Sequence, residues 1–155
     1  MKEKYISSII KIVKDVFSTM IMLDPRDSLP FNKAKVKLRS EITGIMGLTG
    51  KVTMSVLSHF EKAVALKATS NMIGMEYTEI DGDVTDAIGE ISNMVAGGMK
   101  AEIANITGEE MALSLPLVIQ GKDFEIPPIN EMEPIVIPFE VDCGKFYVEF
   151  SYKDK

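Results

Sequence analysis

The longest regular pattern of apolar and polar positions runs from Val84 to Lys100 and predicts an amphipathic helix that continues to about Asn105. Apolar residues recur there at the spacing of one helical face, and they are Val84, Ile88, Ile91, Val95 and Met99. The residues centred on the opposite side are Asp86, Glu90, Asn93 and Gly97. We therefore expect the apolar side to anchor the helix and the polar side to be displayed.

Two further helices are predicted by apolar residues at helical spacing, one from about Lys4 to Met20 and one from about Glu61 to Ile73. Residues 24–27, which include a proline, should end the first of them. Ser58 is the expected N-cap of the second, because a serine hydroxyl can accept a hydrogen bond from a free N–H of the first turn. Gly74 is the expected stop of this helix.

Alternation of apolar and polar residues predicts strands in the rest of the chain. Two antiparallel strands are expected between Val36 and Ser58. A third runs from Met111 to Ile119 with one apolar face. Pro116 marks an edge, a bulge or a strand end there, since proline cannot donate to the ladder. A C-terminal hairpin from Ile135 to Tyr152 is expected to turn near Cys143-Gly144.

The order of these elements is helix, two strands, two helices and three strands. Hairpins connect the strands instead of regular βαβ units, so the pattern favours an α+β fold. We expect a largely antiparallel sheet with two long helices packed on one face and an additional N-terminal helix. A helix followed by a strand pair occurs twice, which could reflect an internal duplication.

Composition narrows the class of protein. With 155 residues, of which 46% are apolar, the chain can bury a core and is expected to form a single domain over residues 1–155. Its net charge of −6 opposes attraction to phosphate backbones, so nucleic acid is a poor partner. The N-terminus lacks the residue order of a secretion signal, and no apolar run is long enough to span a membrane. We therefore expect a cytoplasmic protein without a membrane partner.

Other motifs could carry chemistry, but each has a simpler explanation. Residues 44–51 read GIMGLTGK, whereas a phosphate-binding loop needs four residues between its glycine and the GK pair, followed by Ser or Thr. Here the spacing is five and Val52 follows, so a hairpin turn is favoured. His59, the only histidine, is expected at a strand–helix boundary. Cys143, the only cysteine, excludes an internal disulfide and a CxxC metal site.

Gly97 and Gly98 lie inside the predicted third helix, where each glycine costs about 1 kcal/mol relative to alanine. Gly98 could allow the sheet or another helix to approach closely. Gly97 shares the face of Glu90 and Asn93, so the backbone of a partner could come close there. The sequence leaves both explanations open.

A conspicuous spacing joins four residues, namely Asp86, Glu90, Asn93 and, after 22 others, Pro116. This spacing resembles the signature of the CheC/CheX/FliY family of chemotaxis phosphatases. The predicted order of elements also resembles the fold of that family, and the runs at 47–50 and 71–77 look similar to CheX. The first helix contains no Glu-x-x-Asn. In this respect the chain resembles CheX-like members, with one active face, rather than CheC-like members, with two.

The resemblance implies a phosphatase that hydrolyses the aspartyl phosphate of a CheY-like response regulator. Glu90 and Asn93 would enter the active site of the regulator, where the Asn93 amide orients the attacking water and the Glu90 carboxylate pairs with a lysine. Phosphoryl transfer has a loose transition state, in which positioning of the water matters more than removal of its proton. Asp86, Gly97 and Pro116 are then expected to contact the partner.

The resemblance also implies what the partner supplies. The phosphorylated aspartate and Mg²⁺ would belong to the receiver domain of the regulator, so the chain is expected to need no cofactor or metal of its own. CheX-like proteins are homodimers, and we extend this expectation to the chain. Two other functions remain open. One is a noncatalytic receiver-binding adaptor or flagellar-switch-like module, and the other is a structural dimerisation domain whose polar face is only solvated.

Overall fold

The chain folds into an antiparallel sheet that is covered on one face by helices. The computed structural model describes residues 1–33, 38–122 and 133–154. The helices in this part of the chain are α1 (Lys2–Val16), α2 (Lys62–Ile73) and α3 (Gly82–Thr107). The strands are β1 (Arg26–Asp27), β2 (Phe31–Asn32), β3 (Ile42–Thr49), β4 (Val52–Phe60), β5 (Ala112–Leu113), β6 (Leu117–Gln120), β7 (Ile135–Val141) and β8 (Gly144–Asp154). None of the described helices has the length and apolar character that crossing a membrane requires.

The strands are hydrogen-bonded in the order β1, β7, β8, β4, β3, β5, and β2 and β6 also pair with β7 and β3. All of these pairs are antiparallel, so the predicted α+β fold with an antiparallel sheet is confirmed. The C-terminal hairpin is confirmed as β7 and β8, joined through Asp142-Cys143. The strand pair expected between Val36 and Ser58 is confirmed as β3 and β4, although residues 36 and 37 lie outside the described residues.

The core lies between the helices and one face of the sheet. The apolar stripe predicted for α3 is confirmed, because Val84, Ile88, Ile91, Val95 and Met99 are all buried. Phe146 in β8 stacks on Phe17 at 4.5 Å, on Phe139 at 5.0 Å and on Phe60 at 5.4 Å between ring centroids. Since Phe17 directly follows α1, this stack fixes the end of that helix over the sheet.

The three predicted helices are confirmed, with differences at their ends. α1 begins at Lys2 and continues into a π-helical turn, Phe17–Ile21, which is followed by Met22 in the left-handed conformation at φ 59°. Gly74 ends α2 at φ 84°, as predicted. The prediction that Ser58 caps α2 is wrong, because Ser58 is buried inside β4 and Glu61 is the N-cap residue. The strand continues past Ser58 because its residues stay paired with β8.

The prediction of a single continuous strand from Met111 to Ile119 is wrong. The chain forms β5, loses regular strand pairing at residues 114–116, although the N–H of Ser114 still donates to Gly47 O, and resumes as β6. Leu115 and Leu117 are 90% and 57% exposed instead of lying on a buried face. Pro116 has no N–H for the ladder, so the expected interruption at this residue is confirmed. Among the described strands β6 pairs only with β3.

The N-terminal and central parts of the chain repeat one structural unit. The π-helical turn after α1 is followed by Met22 and α3 is followed by Gly108, both in the left-handed conformation. At the same interval each is followed by a two-residue strand, β1 or β5, and then by Ser-Leu-Pro, at 28–30 and 114–116. β1 and β2 pair with β7 towards one side of the sheet, and β5 and β6 pair with β3 towards the other. This repetition supports an internal duplication and includes two strands, β1 and β2, that the sequence pattern does not predict.

The helices of the two units, α1 and α3, cross where Gly98 faces Ile12. A Cβ added to Gly98 would lie 2.7 Å from Ile12 Cγ2, closer than atoms pack in proteins. Gly98 therefore permits the close approach of another helix, which decides between the explanations left open for this residue. A Cβ at Gly97 would meet no atom of the described residues within 4 Å, so packing against them does not require a glycine there.

Candidate functional site

Polar contacts fix the N-terminus of α3. Asp81 is the N-cap, and its Oδ1 accepts a hydrogen bond of 3.0 Å from the N–H of Val84. The hydroxyl of Tyr77 donates to Asp83 Oδ2 at 2.8 Å, and this bond to a carboxylate raises the pKa of Tyr77 to about 12. Acidic side chains at a helix N-terminus also interact favourably with the helix dipole. These contacts define where α3 begins and therefore which side chains it displays.

α3 is seated closely on β3 at Gly44. A Cβ at this position would overlap Ser92 Oγ, and it would lie 3.0 Å from Ser92 Cβ and 3.5 Å from Ile88 Cγ2. Ser92 is buried, and its hydroxyl donates to Ile88 O at 2.8 Å. Ser92 lies between Glu90 and Asn93 in sequence, so this contact fixes the height of both residues above the sheet.

Glu90 and Asn93 line a cavity between α3 and one side of the sheet. Its volume is about 470 Å³. The lining consists of Thr85, Asp86, Gly89, Glu90 and Asn93 from α3 and of Ser114, Leu115, Pro116 and Val118 from the strand side. The structure thus brings Asp86, Glu90, Asn93 and Pro116 together. Gly97, the other residue singled out in the sequence, lies further along α3 and is not part of the lining.

The strand side of this cavity is held against β3. The N–H of Ser114 donates to Gly47 O, and the N–H of Gly47 donates to Ser114 Oγ, each at 2.8 Å. Gly89 forms the adjoining surface of α3, and a Cβ there would lie 3.5 Å from Val118 Cγ2 and 4.0 Å from Pro116 Cβ. The absence of a side chain at Gly89 therefore keeps the space between the helix and the strands open.

Asp86, Glu90 and Asn93 are exposed and make no hydrogen bond or ion pair with the rest of the described chain. Their carboxylates and carboxamide are available to groups on another molecule. Residues three apart on a helix have Cβ atoms roughly 5–6 Å apart, so Glu90 and Asn93 can reach into the same pocket. A carboxylate there can accept hydrogen bonds from an ammonium group, and a carboxamide oxygen can orient a water molecule.

The other candidate residues lie away from this cavity. His59 is fully buried on the opposite face of the sheet, where its Nδ1 is 2.9 Å from Thr43 Oγ1 and its Nε2 is 2.8 Å from Glu149 Oε1. Cys143 is exposed between β7 and β8, and desolvation raises the pKa of its thiol. Within residues 1–33, 38–122 and 133–154, no three His, Cys, Asp or Glu side chains converge as a metal site would require.

The sequence pattern does not identify several lining residues, namely Thr85, Gly89, Ser114, Leu115 and Val118. Leu115 is expected on the buried face of a continuous strand, and the interruption at Pro116 turns it outward instead. A signal for this segment exists in the sequence, because the same Ser-Leu-Pro occurs at 28–30. That the repeated tripeptide marks an interruption between two short strands is evident only from the structure, where the two copies lie at the two sides of the sheet.

The arrangement of helices on one face of an antiparallel sheet is that of the CheC-like proteins. A CheC-like superfamily protein from Shewanella sp. PV-4 has a TM-score of 0.89 to this chain, with 28% sequence identity over 99% of both chains. The family model for chemotaxis phosphatase CheX matches residues 42–140. The chain belongs to the CheX family of chemotaxis phosphatases, so the family expected from the sequence is confirmed.

Two similar proteins are described together with CheY. The CheY-P phosphatase CheX of Thermotoga maritima is 27% identical over 127 residues, which cover 81% of each protein. The CheX of Borrelia burgdorferi, solved in a complex with CheY, BeF₃ and Mg²⁺, has a TM-score of 0.82. Its sequence identity is 22%, over 97% of this chain and 98% of that one, so this likeness concerns the fold alone.

Proposed function

We propose that this protein hydrolyses the aspartyl phosphate of a CheY-like response regulator by inserting Glu90 and Asn93 into the receiver domain. The cavity at α3 carries the proposal, because both side chains are exposed there beside Pro116 without a hydrogen bond to another described residue. Membership of the CheX family and likeness to the CheY-P phosphatase of Thermotoga maritima support this class of substrate.

In the proposed reaction Asn93 positions the attacking water. Its carboxamide oxygen accepts a hydrogen bond from the water and holds the water oxygen in line with the phosphorus. The water oxygen then bonds to phosphorus while the bond between phosphorus and the aspartyl oxygen breaks. The aspartate leaves as a carboxylate, and a proton of the water passes to the phosphate or to solvent. Because the transition state is loose, the water needs little deprotonation and an amide suffices.

Glu90 fixes the docked position of the receiver in this proposal. Its carboxylate accepts charge-assisted hydrogen bonds from a lysine of the receiver. Asp86, one turn earlier on α3, adds a polar contact, and Pro116 forms the facing wall. Gly97 lets the partner backbone approach, since the space at its Cβ position is open. The receiver supplies the phosphorylated aspartate and Mg²⁺, in line with the presence of Mg²⁺ in the Borrelia burgdorferi CheX–CheY complex.

The proposal is tested by following loss of phosphate from CheY-like receivers charged with an acyl phosphate in the presence of Mg²⁺. Wild-type protein should accelerate this loss. Asn93→Ala should lower kcat by about 100-fold without changing the unfolding midpoint, because the side chain is exposed. Glu90→Ala should mainly raise KM, because it removes a docking contact. Asn105→Ala and Glu102→Ala are matched controls on α3 outside the cavity and should keep wild-type kinetics.

Full activity of Asn93→Ala would contradict the role given to the amide. Binding of phosphorylated receivers without faster dephosphorylation, across the whole panel, would favour the noncatalytic adaptor. Absence of both would favour a structural dimerisation domain. The homodimer stays a prediction, which sedimentation equilibrium of the wild-type protein measures directly.

A further inference from the structure

We infer, on the basis of the proposed function, that Leu115 is the apolar contact through which the protein recognises the receiver surface next to the phosphorylated aspartate. Leu115 is 90% exposed, more than any other large apolar side chain in the described part of the chain. A single exposed leucine is ordinary on protein surfaces. The location, the support and the internal repetition of this one set it apart.

The location ties Leu115 to the proposed chemistry. Leu115 lines the same cavity as Glu90 and Asn93. A partner whose groups fill this cavity to reach those two side chains would therefore contact the leucine as well. The polar pair can orient the partner, and the apolar side chain can supply the desolvated contact area from which affinity is gained.

The backbone that carries Leu115 is held in place before any partner binds. Ser114 is joined to Gly47 by two hydrogen bonds of 2.8 Å, and its hydroxyl donates to Leu115 O at 3.2 Å. Pro116 restricts the backbone on the other side of the leucine. A contact presented on a fixed backbone loses less conformational freedom on binding. The interruption of the strand at residues 114–116 thus has a use, since it projects Leu115 from a supported position.

The repeated Ser-Leu-Pro supplies a comparison within the same molecule. Leu29 is 88% exposed and lies between β1 and β2, as Leu115 lies between β5 and β6. It belongs to the other side of the sheet and follows α1, which carries no Glu-x-x-Asn. Exposure, neighbours in sequence and type of backbone segment are therefore matched. The segments differ in the polar pair, which lies beside Leu115, and in one hydrogen bond, because Pro138 opposite Ser28 has no N–H to match the bond from Gly47 to Ser114 Oγ.

The test uses CheY-like receivers charged with BeF₃ and Mg²⁺ in isothermal titration calorimetry, and the phosphorylated receivers in kinetic assays. Leu115→Ser should weaken binding and raise KM by about tenfold, equal to about 1.4 kcal/mol, with kcat close to wild type. Leu115→Met keeps an apolar side chain and should retain most of the affinity. Leu29→Ser is the matched control and should change none of these quantities. Both serine variants should unfold at the wild-type urea midpoint, because both side chains are exposed.

Equal receiver affinities for Leu115→Ser and Leu29→Ser would overturn the inference and leave the proposed function intact. A reduced kcat at unchanged KM would also overturn it, because Leu115 would then act in the chemical step. A changed sedimentation mass of Leu115→Ser at unchanged receiver affinity would assign the leucine to contact between two copies of the chain and against the receiver. If the wild-type protein neither binds nor dephosphorylates any receiver, the proposed function itself fails, and the inference fails with it.

Discussion

Gly44→Ala should force α3 away from β3 at the level of Glu90 and Asn93. The new methyl group would overlap Ser92 Oγ and lie 3.0 Å from Ser92 Cβ. Ser92 cannot yield freely, because it is buried and its hydroxyl is bonded to Ile88 O at 2.8 Å. Overpacking of this kind costs about 1–3 kcal/mol. Alanine is favoured over glycine in a strand by about 0.5–1 kcal/mol. Because the methyl group would overlap Ser92 Oγ outright, the upper part of the overpacking range applies, and we expect the free energy of unfolding to fall by about 1–2.5 kcal/mol.

Urea denaturation measures this loss as a lower midpoint at an unchanged m-value. Gly47→Ala is a matched control on the same strand, because its Cβ would lie 3.6 Å from Ser114 Oγ, an ordinary contact. It should be at least as stable as the wild-type protein. Ser92→Ala removes the overlapping oxygen, so combining it with Gly44→Ala should recover about 1 kcal/mol relative to the sum of the single changes. Gly44→Ala alone should lower kcat, and adding Ser92→Ala should partly restore it.

A Gly44→Ala protein as stable as the Gly47→Ala control would refute the close seating of α3 on Gly44. Strictly additive effects of Gly44→Ala and Ser92→Ala would refute it too, because two residues that share one contact must show a coupling energy. An altered m-value would indicate a change in the denatured or native ensemble. The loss of stability could then not be attributed to the contact between residue 44 and Ser92.

Two further predictions concern stability. The Lys14 ammonium lies 2.7 Å from Asp27 Oδ1 and lowers the pKa of that carboxyl. The pair therefore stabilises the protein at pH values above the ordinary pKa of aspartate. This contribution is lost as the pH falls through the lowered pKa. Lys14→Met should flatten that part of the dependence of stability on pH, which urea denaturation at several pH values measures. The change should be less than about 1 kcal/mol, because both groups are partly exposed. An unchanged dependence on pH would contradict the pairing. His59→Leu should destabilise the protein by about 2–4 kcal/mol, because it leaves the buried Thr43 hydroxyl and Glu149 carboxylate without this partner. Because His59 lies on the face opposite α3, kcat per folded molecule should stay at the wild-type value, and a loss of kcat would contradict this separation.

The helices were predictable because burial imposes a period on them. Ile88, Ile91 and Val95 are buried at helical spacing, and the pattern survives without knowledge of what covers them. The strand from Met111 to Ile119 was not predictable in the same way. Alternating leucines have the period of a half-buried strand, but an interrupted strand that pairs with β3 alone among the described strands buries only part of them. The course of this segment is set by its pairing with β3, which is remote in sequence.

The site was predictable only in its helical half. Asp86, Glu90 and Asn93 share one face of α3 by local geometry, so their grouping follows from the sequence. The strand half arises because the register of β6 places Val118 opposite Gly44, which brings residues 114–118 beside the helix. Local patterns carry no information on such a register. Pro116 was linked to the helix only through the family spacing.

The repetition of the two units shows which residues of α1 stand where α3 carries the polar pair. The buried residues of the two helical segments follow the same spacing, and they are Tyr5, Ile9, Val13 and Phe17 in the first and Ile91, Val95, Met99 and Ile103 in the second. The left-handed residues Met22 and Gly108 fall at matching positions after them. In this alignment Ile12 and Gly98 are counterparts, and they are also the residues that meet where the helices cross. Contact between counterpart residues is what a two-fold relation between the units would require.

The same alignment places Lys4 at the position of Glu90 and Ser7 at the position of Asn93. The ammonium group of Lys4 would repel the receiver lysine that Glu90 is proposed to engage. The hydroxyl of Ser7 is one bond too short to take the place of the Asn93 carboxamide oxygen. Because Leu29 is exposed as Leu115 is, the first unit keeps the apolar side chain and lacks the polar pair. Without the pair to orient a receiver, the first unit should not bind one, which is why Leu29→Ser is expected to leave receiver affinity unchanged.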